Sequence, residues 1–257
     1  METKYQGEKI EVSLPKSRNF LCVIMPAYYE GIKIKDNLLY ASSVISGFVK
    51  NYCIIAVNDG STDLTLQGIK EASAEDKHIS YVSYDQNHGK GYAICAGVHF
   101  ADASYIGYLD SDMELDPIMF RSFLRTIQDE DADIAIGSKL HKQSKLNYPL
   151  CRRIMSFGYY VMLKTMFRLK LKDTQTGIKL FKASVLKPIC KELTTPGFAF
   201  DIEILARASM QGCKIIEMPV RLNYNRDKMT KSKVSLKQVF NVFKDTMRIR
   251  RNLKHMK

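Results

Sequence analysis

Residues 53–63 read Cys-Ile-Ile-Ala-Val-Asn-Asp-Gly-Ser-Thr-Asp, an unbroken apolar run that stops in a polar turn. Apolar residues without alternation are the pattern of a strand covered on both faces. Asn58-Asp-Gly60 ends it, and Leu64, Leu66 and Ile69 have the spacing of a helix behind it, with Ser61 and Asp63 placed to cap that helix. The same unit recurs on either side. Phe20–Met25 is a strand ended by Pro26, and 36–48 has helical spacing. A strand over 79–84 precedes a helix over 91–101, and a strand over 105–109 precedes a helix opened by Pro117. Ile134–Ile136 is a fifth strand. This alternation predicts an α/β fold, a mostly parallel sheet with helices on both faces. Residues 1–18 read as a tail or a peripheral strand. Beyond 138 the pattern predicts amphipathic helices over 150–171 and 234–253, a helix over 200–211 closed by Gly212, and short strands over 214–217 and 220–224.

Parallel sheets bind ligands at the carboxyl ends of their strands. Four polar segments fall there: Pro26-Ala-Tyr-Tyr-Glu30, Asn58–Asp63, Asn87-His-Gly-Lys-Gly91 and Asp110-Ser-Asp-Met-Glu114. Their order along the chain puts them on one sheet edge around one pocket. Asp110, Asp112 and Glu114 offer three carboxylates at alternate positions. Hard cations such as Mg²⁺ or Mn²⁺ take oxygen ligands of this kind, completed by a diphosphate; a solvated acidic turn before a helix has the same residues. Asp59 can bind a base or ribose, and Lys90 a phosphate, with the flanking glycines allowing close backbone approach. The P-loop pattern, G-x-G-x-x-G and G-x-S-x-G are all absent, which argues against a P-loop NTPase, a dinucleotide-dependent dehydrogenase and a serine hydrolase. The histidines show no metal spacing.

The chain of 257 residues is 46% hydrophobic and 26% charged, enough to bury a core. Its net charge of +12 is unevenly placed: residues 1–138 hold 12 Lys+Arg against 20 Asp+Glu, and residues 139–257 hold 27 against 7. Two surfaces with different partners follow. The six cysteines have no C-x-x-C spacing and read as reduced core residues of a cytoplasmic protein. The first residues lack an apolar signal core, and no apolar stretch reaches the ~18 residues of a transmembrane helix. Residues 226–257, with 11 Lys+Arg against 2 Asp+Glu, instead suit peripheral binding to an anionic membrane surface. Nucleic acid also suits the charge, but the acidic front half, the lack of Trp and the lack of a nucleic-acid motif argue against it.

Taken together, the segments resemble family-2 glycosyltransferases of the Rossmann-like GT-A fold, and more narrowly the dolichyl- or polyprenyl-phosphate hexose synthases. Pro26–Glu30 is similar to P-A-Y-N-E, with Tyr29 for Asn, and Val57–Asp63 to V-D-D-G-S-T-D, with Asn58 for Asp. Asn87–Gly91 matches N-x-G-K-G, Asp110-Ser-Asp112 stands at D-x-D, and Gly137-Ser-Lys139 at G-S-R. Arg152 and Ser156 fit R-x-x-x-S. Asp173-Thr-Gln-Thr-Gly-Ile-Lys-Leu-Phe181 is close to D-T-Q-C-G-F-K-L-F of the glucose-transferring branch. Phe200-Asp-Ile-Glu203 and Glu217-Met-Pro-Val220 resemble F-D-x-E and E-V-P-V. The late R-x-x-G-x-S-K is altered: Arg226–Lys233 lacks the Gly and has one extra residue, and Glu114 stands where many relatives have Gln.

The resemblance implies inverting transfer of a hexose from a nucleoside-diphosphate sugar, UDP-glucose before GDP-mannose, to a polyprenyl or dolichyl phosphate at the cytoplasmic membrane face. A hydroxyl of a cell-surface glycan or cell-wall polymer is the alternative acceptor. It assigns the donor to Pro26, Tyr28, Glu30, Val57, Asp59, Asn87, Lys90, Asp110 and Ser111, and Mg²⁺ or Mn²⁺ to Asp110, Asp112 and Glu114. Lys139, Arg152, Ser156, Arg226 and Lys233 would hold the acceptor phosphate. Asp112, Asp201, Arg152 and Arg226 form the catalytic group, Asp201 serving as base only for a hydroxyl acceptor. The chain then divides into a tail (1–18), a GT-A domain (19–225, donor half 19–138 and acceptor half 139–225) and a basic membrane-facing end (226–257).

Overall fold

A computed structural model of the chain describes residues 2–15, 17–144, 171–195, 197, 199–221 and 246–252. The apolar run at 53–57 lies inside β4 (Tyr52–Asp59), in which every residue is buried. Its side chains alternate between two cores. Cys53, Ile55 and Val57 enter one, and Tyr52, Ile54 and Ala56 enter the other. The neighbouring strand β3 (Asn19–Ala27) divides in the same way, Cys22 and Ile24 against Leu21, Val23 and Met25. This is the two-sided burial expected of an unalternating apolar strand.

Helices α1 (Ile34–Ser46), α2 (Thr65–Glu75) and α4 (Met119–Asp129) supply the core on one face. Helices α3 (Lys90–Phe100), α5 (Ala183–Lys191) and α6 (Phe200–Met210) supply the other. The remaining strands are β1 (Glu2–Tyr5), β2 (Glu8–Ser13), β5 (Ile79–Tyr84), β6 (Ala103–Leu109), β7 (Ile134–Ser138), β8 (Ile178–Lys182) and β9 (Ile215–Pro219). They join one nine-stranded sheet in the order β1-β2-β5-β4-β3-β6-β8-β7-β9. All strands but β2 and β8 run in one direction. The sheet is mostly parallel, and β5, β4, β3 and β6 direct their carboxyl ends to one edge.

One local reading is sharpened, two elements are added and one cap is corrected. Residues 2–13, read as a tail or a peripheral strand, are strands at the sheet periphery: a hairpin, β1–β2, paired antiparallel onto β5. In β2 the buried Ile10 and Val12 alternate with less buried neighbours, the pattern of a strand covered on one face. Strand β8 and helix α5 were not anticipated, because Ile178–Phe181 is too short a run to stand out and its position between β6 and β7 is a long-range pairing. Ser61 does not cap α2, which starts only at Thr65; the Ser61 hydroxyl instead accepts from the Tyr29 N–H at 3.2 Å, while Asp63 does meet the Thr65 N–H at 3.1 Å. The anticipated helix over 150–171 and most of that over 234–253 lie outside the described residues. Residues 246–252 are helical, with Thr246 and Ile249 buried and Met247, Arg248, Arg250 and Arg251 exposed.

Candidate active site

The loop after β3 is tied to the loop after β4. Tyr29 donates its N–H to Ser61 and shares a 2.8 Å hydroxyl contact with Thr62. Gly31 donates to Asp63 and Thr65, each at 3.0 Å, and Glu30 donates to Thr65 at 3.0 Å. Tyr29 has φ +55, a left-handed conformation costly for an aromatic residue and ordinary for Asn. The Ser61 and Thr62 bonds hold it there. Tyr28 packs edge-on against it and remains exposed at the rim. Pro26 lies within β3 opposite Val57 of β4.

Asp59 organises the next loop. Its buried carboxylate accepts from Tyr84 Oη at 2.9 Å, Asn87 Nδ2 at 2.8 Å, and the N–H groups of His88 and Gly89 at 2.9 and 3.0 Å. Burial, then the Asp59 charge, raises the Tyr84 phenol well above the usual tyrosine range. Gly60, φ +67, is obligatory here: a Cβ would lie 2.5 Å from the Asn87 nitrogen. Both oxygens of Asp59 are thus engaged by the protein, and the carboxylate positions the Asn87–Lys90 loop. Asn87 is correspondingly turned onto Asp59. Val57 is wholly buried beneath α3 and lines the core, not the crevice.

The loop after β6 carries the carboxylates. Ser111 donates to Glu30 at 3.1 Å, and its carbonyl accepts from Asn37 of α1 at 2.8 Å, which pins the turn. Asp110 forms an ion pair with Lys90, the first residue of α3. Burial works against the Lys90 charge, but Asp110, Asp201 and Asp112 together raise its pKa above the ordinary lysine value. Asp112 accepts the Glu114 N–H at 3.1 Å, and Glu114 is exposed. Among the described residues no three His, Cys, Asp or Glu side chains gather as a cation cage, so the expected three-carboxylate seat is not assembled by the chain alone. Asp110 and Asp112 still fit a hard cation, since both are carboxylate oxygen donors at the sheet edge, but Lys90 is already paired with Asp110.

Behind Asp110 stands the loop that resembles D-T-Q-C-G. The Asp110 N–H donates to the Gly177 carbonyl at 3.0 Å. A Cβ on Gly177 would fall 2.0 Å from an Asp110 oxygen, so only glycine allows this approach. Asp173 knots the loop: it accepts from the Lys139 N–H at 2.8 Å, the Gln175 N–H at 3.0 Å and the Thr176 hydroxyl at 2.5 Å. Glu217 of β9 accepts from the Lys172 and Asp173 N–H groups. Segments around 139, 173–177 and 217, far apart in sequence, form one structure. Arg152, Ser156, Arg226 and Lys233 lie outside the described residues.

Two residues that sequence reasoning passed over complete the site. Lys179, fully buried on β8, donates to Asp201 at 2.7 Å and to the Thr176 carbonyl at 2.8 Å. Tyr108 of β6 donates to the same Asp201 oxygen, and burial and that carboxylate raise its phenol pKa. Asp201, expected as a fallback base, is therefore held by a cation and a hydroxyl inside the protein. A lysine in an otherwise apolar run, Ile-Lys-Leu-Phe, was the signal available for a buried ion pair.

Comparison with known proteins agrees with this architecture. A crystal structure of glucosyl-3-phosphoglycerate synthase from Mycobacterium tuberculosis with Mn²⁺, UDP and glucosyl-3-phosphoglycerate superposes with a TM-score of 0.65 at 16% identity, covering 90% of this chain and 78% of that one. A mannosyltransferase of Pyrobaculum calidifontis with GDP-Man and Mn²⁺ gives 0.55 at 16% identity, over 81% and 58%. These likenesses establish the fold. A dolichyl-phosphate beta-glucosyltransferase of Saccharomyces cerevisiae is 30% identical over 244 residues, 84% of this chain and 72% of the relative. One of the same name from Dictyostelium discoideum is 29% identical over 227 residues, 82% and 68%. The model of glycosyl transferase family 2 matches residues 22–190, most of the chain, and to that family the chain belongs.

Proposed function

We propose that the chain transfers a hexose, with inversion, from a nucleoside-diphosphate sugar to a polyprenyl or dolichyl phosphate at a membrane surface, with UDP-glucose as donor and GDP-mannose next. The observation that carries this reading is the contact of Asp110 with Gly177. It makes the D-S-D carboxylates and the loop resembling the glucose-transferring branch a single structure. The relatives named as dolichyl-phosphate glucosyltransferases support the same acceptor.

In this reading the donor half is 19–138 and the acceptor half 139–225, with 226–257 toward the membrane. Asp110 and Asp112, with Glu114 nearby, hold Mg²⁺ or Mn²⁺, whose chemistry is to neutralise the diphosphate and improve it as a leaving group. Tyr28, Glu30 and Ser111 line the donor side, with Pro26 at the strand end. Lys90 meets the diphosphate, and Asn87 and Asp59 set its loop. Lys139, Arg152, Ser156, Arg226 and Lys233 take the acceptor phosphate, whose second pKa of about 6 leaves it largely dianionic at neutral pH. Such a nucleophile attacks the anomeric carbon without a general base. The engagement of Asp201 by Lys179 and Tyr108 supports this acceptor over a hydroxyl.

The test incubates the full chain with Mn²⁺ and labelled UDP-glucose or GDP-mannose, offering polyprenyl phosphate or a soluble glycan. Lipid-linked product from UDP-glucose is expected. Product with glycan alone rejects the acceptor, and product with GDP-mannose alone rejects the donor.

A further inference from the structure

The Asp110 carboxylate is held between two fixed features. Gly177 stands against one side of it, and the Lys90 ammonium pairs with it from the other. Lys90 is rigidly delivered, because it opens α3 directly after the loop that Asp59 secures with three loop donors. The pair is only partly shielded: the side chains of Lys90 and Asp110 are 22% and 34% exposed. A lysine and a divalent cation compete for the same carboxylate, and two adjacent positive charges on one oxygen repel.

We propose that Lys90 is an internal counter-cation that makes cation binding by Asp110 and Asp112 conditional on the nucleotide. This rests on the donor-site reading above. Without nucleotide, Lys90 occupies Asp110 and penalises entry of a divalent ion. A diphosphate arriving in the crevice gives Lys90 a second anion within reach of its flexible stem. Lys90 transfers to it and frees Asp110 to join Asp112. Nucleotide and cation therefore bind with positive coupling, and the coupling is reciprocal.

The experiment titrates Mn²⁺ alone, and then Mn²⁺ with saturating UDP, into the full chain and into Lys90→Met and Lys90→Arg. Unbound Mn²⁺ is read by electron paramagnetic resonance. UDP is expected to tighten Mn²⁺ binding to the unaltered chain about tenfold or more. Lys90→Met is expected to bind Mn²⁺ alone about tenfold more tightly than the unaltered chain, and to gain correspondingly less from UDP. Lys90→Arg, which keeps the charge, should behave as the unaltered chain. A gain in affinity is not what a damaged fold produces. If Lys90→Met binds Mn²⁺ alone no more tightly while UDP still tightens it, the counter-cation role is overturned and the donor site stands. If UDP does not tighten Mn²⁺ in the unaltered chain, both are overturned.

Discussion

At Gly177 the tolerance for change is smallest. Gly177→Ala puts a methyl group where an Asp110 oxygen lies, and the pairing of β8 beside it leaves Asp110 to move instead. A displacement of about 1 Å at a reacting centre costs roughly 100-fold, so kcat/KM for the nucleotide sugar should fall by about that factor with the far-ultraviolet dichroism unchanged. Retained activity would remove Asp110 from the site. Lys179 has a different signature. Lys179→Met leaves Asp201 charged and buried, which should cost about 3–5 kcal/mol in urea unfolding, and adding Asp201→Leu should recover much of it. Equal losses in the single and double variants would contradict an ion-pair role. At this scale the sequence showed residue types well and orientations poorly. It displayed the carboxylates at 110 and 112 because their spacing is local. It could not show that Asp59 faces inward, since four donors from residues 84–89 decide that. Tyr29 in place of Asn was visible, but the need for a left-handed φ there was not.

Among the elements, the strands buried on both faces were legible and those at the periphery were not. The apolar runs of β3, β4 and β6 carry their own signal, whereas the antiparallel β8 depends on partners more than forty residues away on either side. Phe200-Asp-Ile-Glu203 illustrates the limit of a motif: Asp201 meets Lys179, but Glu203 accepts from Arg207 and Thr194 and serves to lock α6. Where β7, β8 and β9 begin or end together, Asp133 accepts the Lys214 N–H at 2.9 Å and Lys182 Nζ at 3.1 Å. The Lys214 N–H first, then Lys182, outweighs burial and holds this carboxyl below its usual pKa. A depressed carboxyl adds stability above its unfolded pKa of about 3.9 and loses it as the pH falls through the folded value. Asp133→Asn should therefore be less stable by about 1 kcal/mol at neutral pH, with the difference closing below about pH 4 in chemical unfolding. A difference independent of pH would assign the loss to packing.

The molecule as a whole divides by charge between its two halves. The acidic half carries the strand-end carboxylates, and the basic half includes the exposed Arg248, Arg250 and Arg251 beside exposed Met247. No described helix is long and apolar enough to cross a membrane. If the basic end faces lipid, replacing these three arginines with alanine should weaken binding to anionic vesicles by about two orders of magnitude, at roughly 1 kcal/mol per charge, and added salt should do the same to the unaltered chain. Binding insensitive to both would place the contact elsewhere. The hairpin of residues 2–13 acts at this same scale. The family match starts at residue 22, yet β2 covers β5, and Glu8 reaches His88 at 3.0 Å and Tyr92 at 3.4 Å beside the donor loop. A chain trimmed of residues 1–18, which leaves β3 whole, would expose β5 as an open edge, able to recruit a second copy strand to strand. Self-association of such a trimmed protein, together with weakened nucleotide binding, would share one origin: the fold begins some twenty residues before the family match does.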